Sequence, residues 1–166
     1  MNIVLIGYRG TGKSTVAKVL AARLGREAVS TDALVVKRAN LSIPEIVQQH
    51  GWEYFRDLES QVCKDLSGKD GLVIDTGGGA VLRPENVAAL KVNGRLFWLT
   101  ADVRTIQARI GRDRQRPSLT GTKSFIEEIA EVLAERRPTY EAAADHTVAT
   151  DSLSVPAVAE AILAQL

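Results

Sequence analysis

Residues 7–14 read GYRGTGKS, and the sequence on both sides of them constrains the local fold. A branched apolar run over 2–6 precedes them and predicts a buried strand. Apolar side chains then follow at helical spacing: Val16, Val19, Leu20 and Leu24. The pattern G-x-x-x-x-G-K-S between a strand and a helix is typical of a loop whose backbone amides surround phosphate oxygens at a helix N-terminus. The sequence therefore predicts a nucleotide-binding α/β domain.

Two side chains of this loop have chemical roles in motifs of this kind. Lys13 is predicted to reach the outer phosphates of the nucleotide, and the Ser14 hydroxyl to ligate Mg²⁺. The other loop residues assigned to nucleotide contacts are Gly10, Thr11, Gly12 and Thr15. The alternative is an ordinary glycine-rich turn that happens to carry a lysine. The complete spacing and the flanking strand and helix argue against that alternative.

Composition limits the classes of protein to which the chain can belong. Its 166 residues suit one domain, 1–166, with a sizeable core. The formal net charge of +1 gives no electrostatic footprint for nucleic acid or an anionic membrane. Cys63 is the only cysteine, which excludes an intrachain disulfide and fits a reducing compartment. No apolar stretch approaches the length of a membrane span, and the first strand leaves no room for a signal peptide, so we expect a cytoplasmic protein.

Strand-like and helix-like segments alternate along the chain. The predicted strands cover 2–6, 28–29, 72–75, 95–99 and 146–149. The helices predicted near the end of the chain cover 102–110, 124–143 and 155–166. Asp32 is expected to cap the helix that follows the second strand. Strands separated by helices form a parallel sheet covered on both faces, so the sequence predicts a three-layer α/β/α fold.

Three consecutive glycines, Gly77, Gly78 and Gly79, follow the apolar strand 72–75. In a parallel sheet, the loop after a strand lies at the carboxyl edge, where ligands bind. Successive glycines expose backbone amides to close approach by a phosphate or a substrate oxygen. A merely permissive turn is the alternative. The phosphate loop in the same chain favours the binding interpretation.

Two arginines stand where apolar residues are expected. Arg136 falls on the core-facing stripe of its predicted helix, and Arg56 borders such a stripe on an earlier helix. A charge directed toward a core is costly unless it is paired. Each arginine therefore belongs either to a structural ion pair, with Glu59 as a candidate partner, or to an anion-binding pocket. Together with Asp32, the two suggest a pocket for a hydroxylated carboxylate, which arginine forks grip through two bonds.

A polar stretch over 111–123 has no periodicity and carries Arg112, Arg114 and Arg116. A solvated basic face or an RNA-binding patch would also explain these arginines. However, Asp113 interrupts the stretch, and no aromatic residue is interleaved for base stacking. A flap that delivers an arginine to a phosphate during its transfer fits better. We therefore predict a lid over 111–123.

Taken in order, the motifs resemble those of the shikimate kinases over nearly the whole chain. They are GYRGTGKST at 7–15, Thr31-Asp32, GWEYFR at 51–56 with Glu59, GGGAV at 77–81, Arg116-Pro117 and RRPTY at 136–140. The resemblance implies ATP-dependent phosphorylation of the 3-hydroxyl of shikimate to shikimate 3-phosphate, a step of aromatic amino-acid biosynthesis. It also implies a nucleoside-monophosphate-kinase-like fold with a lid, parallel strands in the order 2-3-1-4-5, a substrate-binding helical region at about 32–62, and a monomer.

The resemblance further implies roles for individual residues. The residues that would hold shikimate are Asp32, Phe55, Arg56, Gly77, Gly78, Gly79 and Arg136. Those that would carry catalysis are Lys13, Asp32 and Arg116. Beyond the phosphate loop, ATP would contact Arg109, which would pack on adenine, Arg116 in the lid, and Pro156 on the far side of the adenine site.

One position departs from the family pattern. The family commonly carries an acidic residue two positions before the substrate-binding aspartate, linked through water to Mg²⁺, and this chain has Ser30 there. Asp75 ends an apolar strand that the expected order places beside the strand leading to the phosphate loop. We predict that Asp75 replaces the missing carboxylate and holds the metal ion through a water molecule. The alternative is that Asp75 only caps the glycine turn.

Two other functions are compatible with these motifs. One is a kinase of the same fold for another small carboxylate-bearing acceptor, such as gluconate. The other is a nucleotide-binding domain that does not turn over and serves regulation. Loss of the lysine or of the lid arginine would favour this second alternative, and the chain has both Lys13 and Arg116.

Overall fold

The computed structural model describes residues 1–110 and 125–166. Its strands are β1 (Asn2–Ile6), β2 (Glu27–Ser30), β3 (Leu72–Asp75), β4 (Gly94–Thr100) and β5 (His146–Ala149). Its helices are α1 (Lys13–Leu24), α2 (Thr31–Ala39), α3 (Ile43–His50), α4 (Trp52–Ser67), α5 (Pro84–Lys91), α6 (Val103–Ile110), α7 (Phe125–Ala143) and α8 (Val155–Leu163), with a 3-10 turn at Ala80–Leu82. Within these described ranges, no helix combines the length and the apolarity that a membrane crossing requires.

The strands of the described residues form one parallel sheet in the order β2-β3-β1-β4-β5. In the register of the central strands, Leu5 of β1 stands opposite Asp75 of β3 on one side and Phe97 of β4 on the other. Ser30 at the end of β2 stands opposite the same Asp75. The predicted strand order is confirmed. Its consequence is that β2, β3 and β1 bring their carboxyl ends to one edge of the sheet.

Successive residues of β1 face two separate hydrophobic cores. Ile3 and Leu5 pack in the core formed with α1 and α8, whereas Val4 and Ile6 pack in the core formed with α2–α5 and α7. All four side chains are fully buried. This alternation follows from the strand period of two and requires helices on both faces of the sheet. The three-layer α/β/α architecture is thereby confirmed.

The structure corrects the predicted cap of α2. Ser30, not Asp32, is the cap, since its hydroxyl oxygen accepts a hydrogen bond of 3.2 Å from the amide of Ala33. The helix begins directly after β2 without an intervening loop, so the cap falls two residues earlier than predicted. Asp32 lies in the first turn, where a carboxylate complements the helix dipole. The last helix also ends earlier, at Leu163 rather than 166.

Candidate active site

The phosphate loop leads from β1 into α1 through glycines in left-handed conformations. Gly12 caps the N-terminus of α1 with a φ of 91°, and Gly10 has a φ of 82°. A Cβ on Gly10 would lie 2.6 Å from Cγ2 of Ile110 in α6, so there is no room for a side chain there. Only glycine combines this conformation with so close an approach. The glycines at positions 10 and 12 of the motif are thus required by the backbone conformation of the phosphate loop.

Lys13 is held against the backbone of the loop that precedes it. Its Nζ donates hydrogen bonds to the carbonyls of Gly7 at 2.8 Å and Tyr8 at 3.0 Å. The side chain is buried, although it carries a charge. Thr11 closes the same loop through a 2.8 Å bond from its hydroxyl to the Tyr8 carbonyl. The lysine charge is therefore placed inside the curve of the loop, where the phosphates of a nucleotide would lie.

Asp75 is bonded to the phosphate loop across the sheet edge. The Ser14 hydroxyl donates a 2.6 Å hydrogen bond to Oδ2 of Asp75. Burial, with a smaller contribution from the nearby Asp32 carboxylate, raises the pKa of the Asp75 carboxyl, although the charge of Lys13 and the bond from Ser14 act in the opposite direction. The amides that follow Asp75 have other acceptors: Thr76 donates to the Leu5 carbonyl, and Gly77 to the Thr31 hydroxyl at 2.9 Å.

A cavity of about 430 Å³ joins the phosphate loop to the glycine run. Its lining contains part of the predicted set from each side: Gly10, Gly12, Lys13, Ser14, Thr15, Asp32, Asp75, Gly77 and Gly78. The predicted residues Thr11, Phe55, Arg56, Gly79 and Arg136 do not line this cavity. Ser30 also lines this cavity. The parallel sheet explains the convergence, because these residues follow the carboxyl ends of β1, β2 and β3.

A second cavity of about 320 Å³ opens on the other side of the phosphate loop. Arg109 lies beside it, and Nη1 donates to the Gly10 carbonyl and to the Thr150 hydroxyl, both at 3.2 Å. Leu153 and Val155 supply apolar surface. A cavity with an arginine and apolar walls beside a phosphate loop suits a purine base. Thr150 also lines this cavity and was not predicted. Its position directly after β5, at the carboxyl edge of the sheet, was the signal that could have indicated it.

Pro156 does not itself line this second cavity in the described residues, although its neighbour Val155 does. It is an exposed residue in the first turn of α8. Its assignment to the adenine site stays a prediction. Arg116 and the lid over 111–123 lie outside the described residues, and their roles also stay predictions.

An ion pair between Arg56 and Glu59, one of the two alternatives that the sequence left open for Arg56, is present. Nη1 of Arg56 donates to Oε1 of Glu59 at 3.0 Å, and the Glu59 side chain is fully buried. The guanidinium also lies over the rings of Trp52 and Phe55, with centroid distances of 5.4 and 5.3 Å. Burial, pairing and ring contacts together restrict the orientation of this guanidinium. An arginine fixed in this way is suited to bind a carboxylate in one geometry.

Each glycine of the run faces a charged side chain. A Cβ on Gly77 would lie 2.6 Å from Oδ1 of Asp32, and a Cβ on Gly79 would overlap the guanidinium of Arg56. At Gly78, a Cβ would lie 3.5 Å from Nη1 of Arg136, which is buried on α7. Side chains at Gly77 and Gly79 would displace Asp32 and Arg56, whereas a Cβ on Gly78 would make ordinary van der Waals contact with Arg136. Asp32, Arg56 and Arg136 thus converge on one backbone segment, and Gly77 and Gly79 make room for the first two.

Sequence reasoning missed one residue that contacts this segment. The Tyr140 hydroxyl donates a hydrogen bond to the Gly78 carbonyl, and the side chain is fully buried. Desolvation raises the pKa of the Tyr140 hydroxyl. The available signal was its position four residues after Arg136, which places both side chains on the same face of a helix.

Comparison with known proteins identifies the family. A family model for shikimate kinase matches residues 9–166. A shikimate kinase of Nitratidesulfovibrio vulgaris is 44% identical, and the alignment covers 99% of this chain and 95% of that protein. One of Geobacter sulfurreducens is 43% identical over 93% of this chain and 84% of its own. The chain belongs to the shikimate kinase family. The resemblance inferred from its ordered motifs is thus confirmed.

Solved structures of the family agree with the fold described above. Shikimate kinase from Acinetobacter baumannii, solved in complex with shikimate, superimposes with a TM-score of 0.93 at 33% identity, covering 99% of this chain and 91% of that one. The enzyme from Aquifex aeolicus has a TM-score of 0.82 at 34% identity, covering 99% and 95%. The nucleoside-monophosphate-kinase-like arrangement predicted for this family member is therefore confirmed.

Proposed function

We infer that the protein phosphorylates shikimate with ATP, and we propose that the acceptor atom is the 3-hydroxyl oxygen. The observation that carries this proposal is the convergence of Asp32, Arg56 and Arg136 on the glycine run, beside the phosphate loop. Two arginines match a carboxylate, and an aspartate matches a hydroxyl that must lose its proton. Family membership supports the same reaction.

We propose that the nucleotide is held in two places. The amides of the phosphate loop and Lys13 would bind the outer phosphates of ATP, and the cavity beside Arg109 would take the adenine. Arg116 would approach the transferred phosphoryl group from the lid. This last assignment rests on the family resemblance alone.

Acceptor chemistry would follow from the buried charges. Arg56 and Arg136 would grip the carboxylate of shikimate, Phe55 would line the pocket, and Asp32 would orient the 3-hydroxyl. The hydroxyl oxygen would form a bond to the γ-phosphorus as the bond to the β–γ bridging oxygen breaks. The hydroxyl proton would pass to a carboxylate oxygen of Asp32 and then to solvent. Positioning and charge neutralisation would supply most of the rate enhancement.

The residues at the end of β3 and the start of α1 fit a Mg²⁺ ion. The Ser14 hydroxyl and the Asp75 carboxylate are oxygen donors 2.6 Å apart, and hard cations prefer such ligands. Within the described residues, no cluster of three His, Cys, Asp or Glu side chains could form an all-protein metal site. We propose that Ser14 ligates the ion directly and that Asp75 holds it through a water molecule. When bound, Mg²⁺ would neutralise charge on the ATP phosphates.

Composition and family membership carry proposals on partners, location and assembly. The formal net charge of +1 favours small-molecule substrates over nucleic acid or a membrane surface. We propose a cytoplasmic monomer, in keeping with the single cysteine and with the family.

A coupled assay of ADP release tests the function. Shikimate, gluconate and nucleoside monophosphates would be compared at equal concentration, with Lys13→Met as the control for contaminating kinases. We expect ADP release with shikimate, and phosphorus-coupled NMR of the product should place the phosphate on the 3-oxygen. Turnover of gluconate alone would establish the other kinase. Nucleotide binding without turnover of any acceptor would establish the regulatory domain.

A further inference from the structure

Tyr140 lies where α7 meets the glycine run. It follows Arg136 by one helical turn, and its side chain is fully buried. Its ring stacks on Trp98 of β4, with centroids 5.7 Å apart and an interplanar angle of 25°. Packing of this kind fixes both torsions of the side chain and therefore the position of the hydroxyl. The hydroxyl is thus presented to its neighbours at a defined point.

The hydroxyl of Tyr140 holds one peptide of the acceptor site, because it donates its proton to the Gly78 carbonyl. Arg136, one helical turn before Tyr140, lies against the same glycine, since a Cβ on Gly78 would be 3.5 Å from its Nη1. Tyr140 and Arg136 therefore meet the glycine run at one residue.

The carbonyl that Tyr140 holds belongs to a peptide that lies between the phosphate loop and Arg136. Because a peptide is planar, fixing the Gly78 carbonyl also fixes the Gly79 amide, which points the opposite way. A Cβ on Gly78 would lie 3.4 Å from the Arg9 amide nitrogen and 3.5 Å from the Gly7 carbonyl oxygen. The glycine run is thus seated directly against the phosphate loop. Any rotation of this peptide would change the distance between acceptor and nucleotide.

We propose that Tyr140 is a positioning residue for phosphoryl transfer. Its hydroxyl fixes the Gly78 peptide, against which Arg136 lies, so that the acceptor carboxylate and the reacting hydroxyl are placed together in reach of the phosphate loop. This inference rests on the acceptor-binding roles proposed above for Arg136 and Gly78. It assigns to Tyr140 no contact with the substrate itself.

The test is Tyr140→Phe, which removes the hydroxyl and keeps the ring that stacks on Trp98. The KM for shikimate should rise roughly tenfold, because the hydrogen bond that orients the glycine run is lost. The kcat should fall severalfold, and the KM for ATP should stay within about twofold. Tyr54→Phe is the matched control, since Tyr54 is an exposed tyrosine of α4 stacked on His50. Its kinetic constants should equal those of the wild type.

A residue that served packing alone would give a different result. The phenylalanine ring preserves the packing, so unchanged shikimate constants in Tyr140→Phe, even with a lower melting temperature, would overturn the proposal. A double-mutant cycle with Arg136→Lys sharpens the test. If Tyr140 acts through Arg136, the double variant should lose much less than the product of the two single losses. If the loss of the double variant equals the product of the two single losses, Tyr140 does not act through Arg136.

A second measurement keeps the inference testable if Tyr140→Phe does not fold. The chain has three tyrosines, so wild-type protein labelled with 3-fluorotyrosine should give three fluorine NMR signals. Saturation with shikimate should move the Tyr140 signal and leave that of Tyr54, identified with Tyr54→Phe, in place. A Tyr140 signal that does not respond would overturn the proposal. Absence of wild-type shikimate turnover would instead refute the proposed function and the inference with it, whereas normal turnover with unaltered Tyr140→Phe would refute the inference alone.

Discussion

The nucleotide half and the acceptor half of the site are built in different ways. On the nucleotide side, eight consecutive residues make most of the site, and their backbone amides and carbonyls are the main functional groups. On the acceptor side, Asp32, Arg56 and Arg136 come from three different helices and meet at glycines that follow β3. The first half is local in sequence, whereas the second exists only once the sheet and its helices are assembled.

The two halves also differ in how far their polar and charged side chains are exposed to solvent. Ser14 and Thr15 of the phosphate loop are exposed, so water reaches much of the nucleotide side. In the acceptor half, Glu59 is fully buried and pairs with Arg56, and Arg136 is buried beside Tyr140. Buried charges require partners in fixed geometry. The acceptor half should therefore respond to small changes in side-chain shape, and the nucleotide half mainly to loss of charge.

The largest effect should follow from Lys13→Met on the nucleotide side. This change removes the ammonium group held inside the loop at 2.8 Å from the Gly7 carbonyl. Charge stabilisation of the transferred phosphoryl group is lost, and kcat should fall about 10³-fold. Lys18→Met, an exposed lysine of the same helix, is the matched control and should retain full activity. Steady-state kinetics of both variants would check this, and equal activities would show that the loop lysine is dispensable.

A smaller effect is expected on the acceptor side from Arg56→Lys and Arg136→Lys. Charge is kept in both variants, but the planar fork that binds a carboxylate through two bonds is lost. The KM for shikimate should rise roughly tenfold to a hundredfold, while the KM for ATP stays near that of the wild type.

Arg137→Lys provides the control for this pair, because Arg137 is exposed and forms an ion pair with Glu141 at 3.6 Å. Initial-rate measurements with each substrate varied in turn would separate the two constants. If both Lys variants kept the wild-type KM for shikimate, the two arginines would not form the carboxylate clamp. The acceptor half would then tolerate changes of shape as the nucleotide half does.

These differences explain how much could be predicted from the sequence. The phosphate loop, the alternation of strands and helices, and the off-pattern Arg136 are all visible in local patterns. The cap of α2 was misplaced because the sequence does not reveal that the helix follows β2 without a loop. The contact of Tyr140 with Gly78 joins residues 62 positions apart, and no local pattern encodes it. Long-range contacts of this kind determine the geometry of the acceptor half.

A loss comparable to that of the arginine variants, but in Mg²⁺ dependence, is expected at Asp75, where the two halves of the site meet. If its carboxylate holds Mg²⁺ through water, Asp75→Asn should raise the Mg²⁺ concentration for half-maximal activity roughly 10–100-fold, the usual cost of losing such a partner. Calorimetric titration with ADP should show a weaker benefit of Mg²⁺ on affinity, while affinity for ADP without Mg²⁺ should not fall. Melting temperature without metal should change little.

The register of the sheet offers a way to restore the carboxylate in this variant. Ser30 stands opposite Asp75 in the neighbouring strand and lines the same cavity. Aspartate caps helices as well as serine does, so Ser30→Asp should preserve the start of α2. Added to Asp75→Asn, it should return the Mg²⁺ requirement toward that of the wild type. An earlier melting transition with an unchanged Mg²⁺ requirement in Asp75→Asn would show instead that Asp75 only stabilises the turn.

The smallest effect concerns Cys63, which is fully buried on α4 one turn after Glu59. Burial first, and then the Glu59 carboxylate, raise the pKa of the Cys63 thiol to about 12. In the unfolded chain the thiol ionises near its ordinary pKa of about 8.5. Between these two values the unfolded state binds fewer protons than the folded state. The free energy of unfolding should therefore fall as pH rises through this range, by up to about 1.4 kcal/mol per pH unit.

Comparison with Cys63→Val isolates this contribution, because the other groups that titrate at alkaline pH are common to both proteins. Urea unfolding at about pH 8 and about pH 10.5 should show that the wild type loses about 2 kcal/mol more than the variant does. The loss arises only if the thiol next to Glu59 is kept out of water in the folded state. Equal losses in the two proteins would mean that water reaches this side of α4. The contrast between a dry acceptor half and an open nucleotide half would then not extend to the helix that carries Arg56.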